Sequence, residues 1–294
     1  MRSMPQSASE FTAREQPGAS RSRTWIHELR AEGLAALAAG RIGFASTISA
    51  WPALLGRMIF YAVCLLVLGA FWRTVGVARL PAAFARSLPP GGLVDYVRVT
   101  EWITLSIVPV QLRIEDDVRS GAVEAGLLRP RSWLVLEGAQ ALGGCLARMA
   151  SVGVMALALL SLEAGWPRPE GVAEAAVLGL GGAVIGIELV VLVGLCAFWL
   201  RRVLPVSLIC QKLMFLLGGL FAPISLYRGW FHTLAAASPF AAHLNAAGEA
   251  LIAPSWKGFA GGLGAQIAWT VLLALAIWGA GGLALAKARR EGLG

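Results

Sequence analysis

Residues Ile114–Trp133 read IEDDVRSGAVEAGLLRPRSW, the most highly charged run in the body of the chain, and they lie between two long apolar segments. Glu115, Asp116, Asp117, Arg119, Glu124, Arg129 and Arg131 are too costly to place in hydrocarbon, so the run belongs in water. Within it Val118, Ala122, Ala125 and Leu127/Leu128 recur at three- and four-residue spacing, which predicts a short helix with an apolar stripe over 115–130. Pro130 ends that helix, because it has no N–H and clashes with the preceding turn. Two readings are open at this point: an ordinary solvated loop, or a helix that docks on a partner in the aqueous phase.

Composition sets the class. Of 294 residues, 57% are hydrophobic and only 14% charged, against roughly 25% charged in an ordinary soluble domain. The chain therefore reads as an all-α polytopic membrane protein. Its net charge of +8 would suggest nucleic acid in a soluble protein; here it reports which loops face the cytoplasm, and no nucleic-acid partner is expected. Cys64, Cys145, Cys196 and Cys210 stand singly in apolar runs, so neither a disulfide framework nor a zinc site is indicated.

Residues 1–23 are polar and read as a disordered cytoplasmic tail without the apolar core of a secretory signal. From Thr24 to Thr47 the pattern is helical, with Ile26, Leu29, Leu37 and Phe44 on one face and Glu28 and Glu32 opposite. Arg30 and Arg41 flank the apolar face, as in a helix lying in the membrane interface. Six spans follow, at about 52–72, 93–112, 134–162, 172–199, 205–226 and 259–286, each near the ~20 residues needed to cross ~30 Å of hydrocarbon. None shows the period-two alternation of barrel strands. Residues 227–256 form a long, still apolar connection broken at Pro239 and closed at Pro254. Short helices there either dip back into the outer leaflet or make a small external cap.

Orientation comes from the basic residues outside the spans. Arg2, Arg14, Arg21, Arg23, Arg30 and Arg41, the arginines of 113–131, Arg201, Arg202, Lys287, Arg289 and Arg290 fall on one side. Arg73, Arg79, Arg86, Arg168, Arg228 and Lys257 fall on the other. The excess places both termini in the cytoplasm. Trp51, Trp72, Trp133, Trp166, Trp199, Trp230 and Trp256 lie near the span ends, as an aromatic belt does.

No phosphate-binding loop of the G-x-x-x-x-G-K-[ST] type and no H-E-x-x-H or G-x-S-x-G motif occurs. His27, His232 and His243 are too dispersed for a metal site, with Glu249 the one carboxylate that could join the last two. Gly182-x-x-x-Gly186 permits close helix approach but is a weak signal in a chain with 35 glycines. Ionisable residues inside the spans carry more information. Arg98 and Glu101 share a face of the second span; Glu188 and Lys212 are a candidate ion pair across the fourth and fifth; Arg148 in the third could meet Glu101. Such groups either hold the bundle together or line a pathway.

The whole arrangement resembles the ABC-2 type permeases, the membrane subunits of ATP-driven exporters, and within them the daunorubicin-exporter-like branch. The resemblance rests on Arg119-Ser120-Gly121-Ala122-Val123-Glu124 followed by Leu127-Leu128-Arg129-Pro130, on Ala197-Phe198-Trp199, on Gly218-Gly219-Leu220-Phe221-Ala222-Pro223 and on Ser238-Pro239-Phe240. Where many members have Gly-Thr-Leu-Glu, this chain has Gly121-Ala122-Val123-Glu124. The resemblance covers about residues 25–290 and implies that 115–130 is a coupling helix seated in a groove of a cytoplasmic ATPase dimer. Glu115, Asp116, Asp117, Val118, Arg119, Gly121, Ala122, Glu124, Leu127, Leu128, Arg129 and Pro130 would then carry the coupling. It further implies a second permease chain, identical or paralogous, in a bacterial inner membrane, surrounded by lipid. ATP and Mg would be bound by the ATPase and no cofactor by this chain, which is not itself an enzyme. A path along spans two and five, lined by Arg98, Glu101, Trp102, Phe215 and Phe221, would suit an amphipathic, lipid-like or drug-like substrate. An ion-coupled carrier using Glu101 or Glu188, or a non-transporting scaffold, are the alternatives.

Overall fold

The computed structural model describes residues 17–75, 88–89, 91–123, 133–161, 166–200 and 202–291. Every regular element among them is helical. The elements are α1 (Pro17–Ser49), α2 (Trp51–Val75), α3 (Gly92–Ser106), α4 (Val110–Ser120), α5 (Trp133–Ser161), α6 (Pro169–Leu195) and α7 (Leu204–Leu217). Three short helices, α8 (Gly229–Ala236), α9 (Pro239–His243) and α10 (Asn245–Ile252), precede the long α11 (Trp256–Glu291). Four helices, those beginning at Trp51, Trp133, Pro169 and Trp256, are long and apolar enough to cross a membrane.

Two of the six expected spans differ. The apolar run at 93–112 is divided: α3 stops at Ser106, the backbone is irregular over 107–109, and α4 starts at Val110. Pro109 explains the break, since it lacks an N–H and forces the residue before it out of the helical region. The charged helix thus begins five residues before the expected 115 and ends at Gly121, whose φ of 76° terminates it in the left-handed conformation. The run at 205–226 is likewise shortened to α7, about 21 Å long at ~1.5 Å per residue, and its last residues turn through Gly219 at φ 70°. At the other end, α1 already includes residues 17–23 of the expected tail, and residues 1–16 lie outside the described residues.

The core is organised on α6. Within its apolar window 56% is buried inside the protein, against 17% for α2 and for α11. Small residues let other elements approach it closely. An added Cβ on Gly179 would strike the Trp102 ring, on Gly186 it would lie 2.6 Å from His243 Cε1 and from Ile107 Cδ1, and on Gly194 2.7 Å from Ile114 Cδ1. On Gly182 it would overlap the carbonyl oxygen of His243. The Gly182–Gly186 pair is therefore the seat of α9, a use of close approach within one chain.

That seat is polar where it must be. The Nδ1–H of the fully buried His243 donates to the carbonyl of Gly182 at 2.7 Å. Gln266 of α11, also buried, donates through Nε2 to the carbonyls of Leu178 (2.7 Å) and Ala242 (3.0 Å). Ala242 belongs to the broken segment, where the bond from Gln266 replaces what water would supply, while the Gly182 and Leu178 carbonyls are points on α6 to which that segment and α11 are tied. The N-cap of α9 is Ser238, whose hydroxyl accepts from Ala241 N–H.

α1 docks on α5 through small residues. Gly43 abuts the backbone of Gln140, and Gly143 abuts that of Gly40. Leu34, Leu37, Ile42 and Phe44 stay exposed on the other side. These apolar side chains are not covered by the described residues.

Filling the seat is expected to loosen the fold. Gly182→Ala should lower stability by about 1–3 kcal/mol, because the clash is with backbone and has no soft way out. Gly264→Ala on α11, where a Cβ meets nothing within 4 Å, should stay within about 0.5 kcal/mol of wild type. Thermal unfolding of the detergent-purified variants checks both.

Candidate functional site

The irregular backbone between α3 and α4 leaves carbonyls without helical partners, and two arginines supply donors. Arg57 of α2 donates through Nη1 to the Leu105 carbonyl at 2.7 Å, and Arg148 of α5 donates through Nη1 to the Ile107 carbonyl at 2.7 Å. Charge-assisted bonds of this kind are about twice as strong as neutral ones. Arg148 is thus committed to the hinge: its guanidinium is engaged by the Ile107 carbonyl and, among the described residues, it forms no ion pair with Glu101, which it could have met. Glu101 is 6% exposed and takes no hydrogen-bond or ion-pair partner among the described residues. Arg98 is buried and takes Asp95, one turn earlier on α3, as an ion-pair partner.

α4 is held on the protein by its inner face. Ile114 is fully buried against Gly194, and Gln111 donates to the Ser207 hydroxyl at 3.2 Å. Glu115 is also buried: its Oε2 accepts the backbone N–H of Val203 at 2.9 Å, just before α7, while Oε1 lies 3.6 Å from Arg119 Nη1. Arg113 pairs with Glu137 of α5 at 2.5 Å. Val118 is half-buried against the cluster that holds Val110, Ile114 and Val191 and against that of Val123, Leu195 and Phe198. Of the residues expected to meet a partner, Asp116, Arg119, Gly121 and Ala122 are exposed and Asp117 is half-buried. Glu115 and Val118 face inward, because a helix so close to α6 must bury one stripe on its own chain. Glu124, Leu127, Leu128, Arg129 and Pro130 lie outside the described residues.

The remaining candidates fall into two groups. Trp102 is turned towards α5 and α6, its Nε1–H donating to the Met149 carbonyl at 2.8 Å and its ring lying on Gly153 and Gly179. Phe215 and Phe221 pack edge to face at 5.8 Å, and Lys212 Nζ sits 5.6 Å from the Phe215 centroid. Glu188 and Lys212 do not pair: Lys212 is on the exposed face of α7 with Leu208 and Ile209, while Glu188 Oε2 is buried on α6 without a hydrogen-bond partner. Among the described residues no group of three His, Cys, Asp or Glu could hold a metal.

α3 is fastened to the turn after α7. Tyr96 Oη lies 2.6 Å from the Gly219 carbonyl and 2.9 Å from Asn245 Oδ1, and Thr100 donates to the Leu220 carbonyl at 2.8 Å. Asn245 Oδ1 also accepts from Ile224 N–H at 2.9 Å. The Gly218–Pro223 motif is therefore a buried turn clamped by α3 and α10. A cavity of about 500 Å³ opens beyond it, with Glu174, Asn245 and Glu249 among its walls. A second, of about 310 Å³, lies between α5 and α6 over Trp102.

Sequence reasoning passed over Arg57, Gln266 and Asn245, and weighed His243 only as a metal ligand. Arg57 carried a usable signal, as a cation within an apolar run, which is rare unless it has an internal partner. The others gave none, since a lone amide or imidazole in a broken segment has no periodicity to mark it. Comparison with family models and with curated proteins finds no match for the chain.

The two hinge arginines are expected to be necessary and not interchangeable with apolar residues. Arg57→Met or Arg148→Met leaves a buried carbonyl without its donor, at a cost of about 1–3 kcal/mol. Lysine at either place should recover part of the loss, as read by unfolding of the purified variants and protease sensitivity at 107–109.

Proposed function

We propose that this chain is the membrane subunit of an ATP-driven exporter and that α4 is the element through which a separate ATPase acts on it. The observation that carries this reading is the two-sidedness of α4. Its outer face presents Asp116, Arg119, Ser120, Gly121 and Ala122. Its inner face is bonded to the stretch before α7 through Glu115, to α5 through Arg113 and to α6 through Ile114. A push on the outer face therefore reaches three helices at once, while the Pro109 hinge lets α4 move relative to α3. Rigid-body shifts of packed helices about such a hinge are an established way to switch a path.

In this reading the N- and C-termini and α4 are cytoplasmic, the divided helices α3 and α7 complete six crossings, and α8–α10 re-enter from the opposite side, sealed by the seat on α6. The assembly contains two permease chains and two ATPase subunits. ATP and Mg belong to the ATPase. Oppositely charged residues on α4 and on the partner would set register and choice of partner more than affinity. The substrate is amphipathic, because the walls near Trp102 and Phe215 are apolar. An ion-coupled carrier is the second reading, favoured by one observation: Glu101 and Glu188 are carboxylates with no ionic partner among the described residues.

Purification of the solubilised chain with its bound proteins separates the two. A nucleotide-binding ATPase should accompany the wild type and be lost from a double variant, Asp116→Arg with Arg119→Glu, since like-charge contact costs several kcal/mol (~2 or more). Transport that proceeds without ATP, collapses with the membrane potential and disappears in Glu188→Gln would overturn the exporter reading.

A further inference from the structure

The cavity over Trp102 is a slot lined along α5 from Met149 to Leu160, by Val99 and Trp102 of α3 and by Val172, Ala175 and Ala176 at the start of α6. It runs between α5 and α6, both long enough to cross a membrane. Met149 and Trp102 stand at one end, Leu160 and Pro167 at the other. The stretch of α5 from Met149 to Leu160 spans about 16 Å at ~1.5 Å per residue, close to half of a ~30 Å hydrocarbon layer. The slot is thus one leaflet deep.

Its chemistry is that of hydrocarbon. At Trp102 the indole N–H is taken up by the Met149 carbonyl, so the ring offers only its apolar surface. Among the described residues Arg98 is the charged one in the wall, and Asp95 is its ion-pair partner. The volume of about 310 Å³ is at the lower end of the ~300–1,000 Å³ usual for ligand sites. On the open side Val154 is 63% and Leu157 49% exposed, so the slot opens sideways where lipid lies. Beyond Pro167 stand exposed Trp166 and Arg168, the residue types that settle at headgroup depth.

We propose that this slot binds one acyl chain of a membrane phospholipid, entering sideways between α5 and α6, with its methyl end at Trp102 and its headgroup beside Trp166 and Arg168. The leaflet concerned is the one at the end of α5, which the charge distribution makes the outer one. The proposal needs only that the chain sits in a membrane, so it stands or falls apart from any ATPase partner.

Photolabelling of the full chain in phosphatidylcholine nanodiscs tests it. With a diazirine at the acyl terminus, crosslinks should concentrate on Trp102 and on Met149–Gly153. With the diazirine next to the headgroup they should move to Leu160 and Pro167. A variant that fills the walls, Ala156→Phe with Ala176→Phe, should lose these crosslinks about tenfold while those on the exposed α11 residues Leu272 and Leu275 persist. Labelling spread evenly over all lipid-facing residues, or insensitive to diazirine position, would mean annular lipid only and would overturn the site. So would undiminished labelling of the slot in a folded filled variant.

Discussion

The imidazole of His243 can donate to the Gly182 carbonyl only because positions 182 and 186 of α6 have no side chains. On that contact the remainder of the bundle depends. A segment broken into α8, α9 and α10 exposes amide groups that no helix satisfies, and apolar surroundings offer no water to do so. By admitting the backbone of α9, α6 turns an unstable insertion into a packed layer. Gln266 closes the layer from the α11 side, bonding Leu178 and Ala242 at once. Three helices, α6, α9 and α11, are joined by two side chains.

The same rule governs the second break. Between α3 and α4 the chain gives up helical bonds at Pro109, and Arg57 and Arg148 replace them at Leu105 and Ile107. Ile107 also reaches Gly186, so the hinge and the seat of His243 share one stretch of α6. A displacement of α4 is therefore felt where α9 is seated. That proximity gives the proposed coupling a physical route: a contiguous set of contacts, with a flexible joint at one end and a broken segment at the other.

Polar residues within the apolar bundle divide by role. Arg57, Arg148, Tyr96, Thr100, Asn245, His243 and Gln266 each complete a backbone or side-chain hydrogen bond. Among the described residues Glu101 and Glu188 pair with none, and Glu188 Oε2 is buried without a partner. A carboxylate kept in such a place without a partner is costly, and the contrast with the satisfied residues makes these two the groups on which an ion-coupled mechanism would have to act.

Much of this was legible in the chain itself. The scarcity of charge and the length of the apolar runs determined an all-helical, membrane-type protein, while the IEDDVRS run, read as standing in water, turns Ile114 and Glu115 into the protein. The break at Pro109 was not read from the sequence, because the apolar residues on both sides of it make 93–112 look continuous. What the sequence left open was which polar group meets which. Arg148 could be placed on the third span but not on the Ile107 carbonyl; Glu188 and Lys212 matched in depth yet face different ways; Gly182 and Gly186 could have served any close helix. Depth along a helix follows from residue number at a fixed rise. The direction a side chain faces depends on how each helix is rotated against its neighbours, and only the packing of α6 with α4, α9 and α11 decides that.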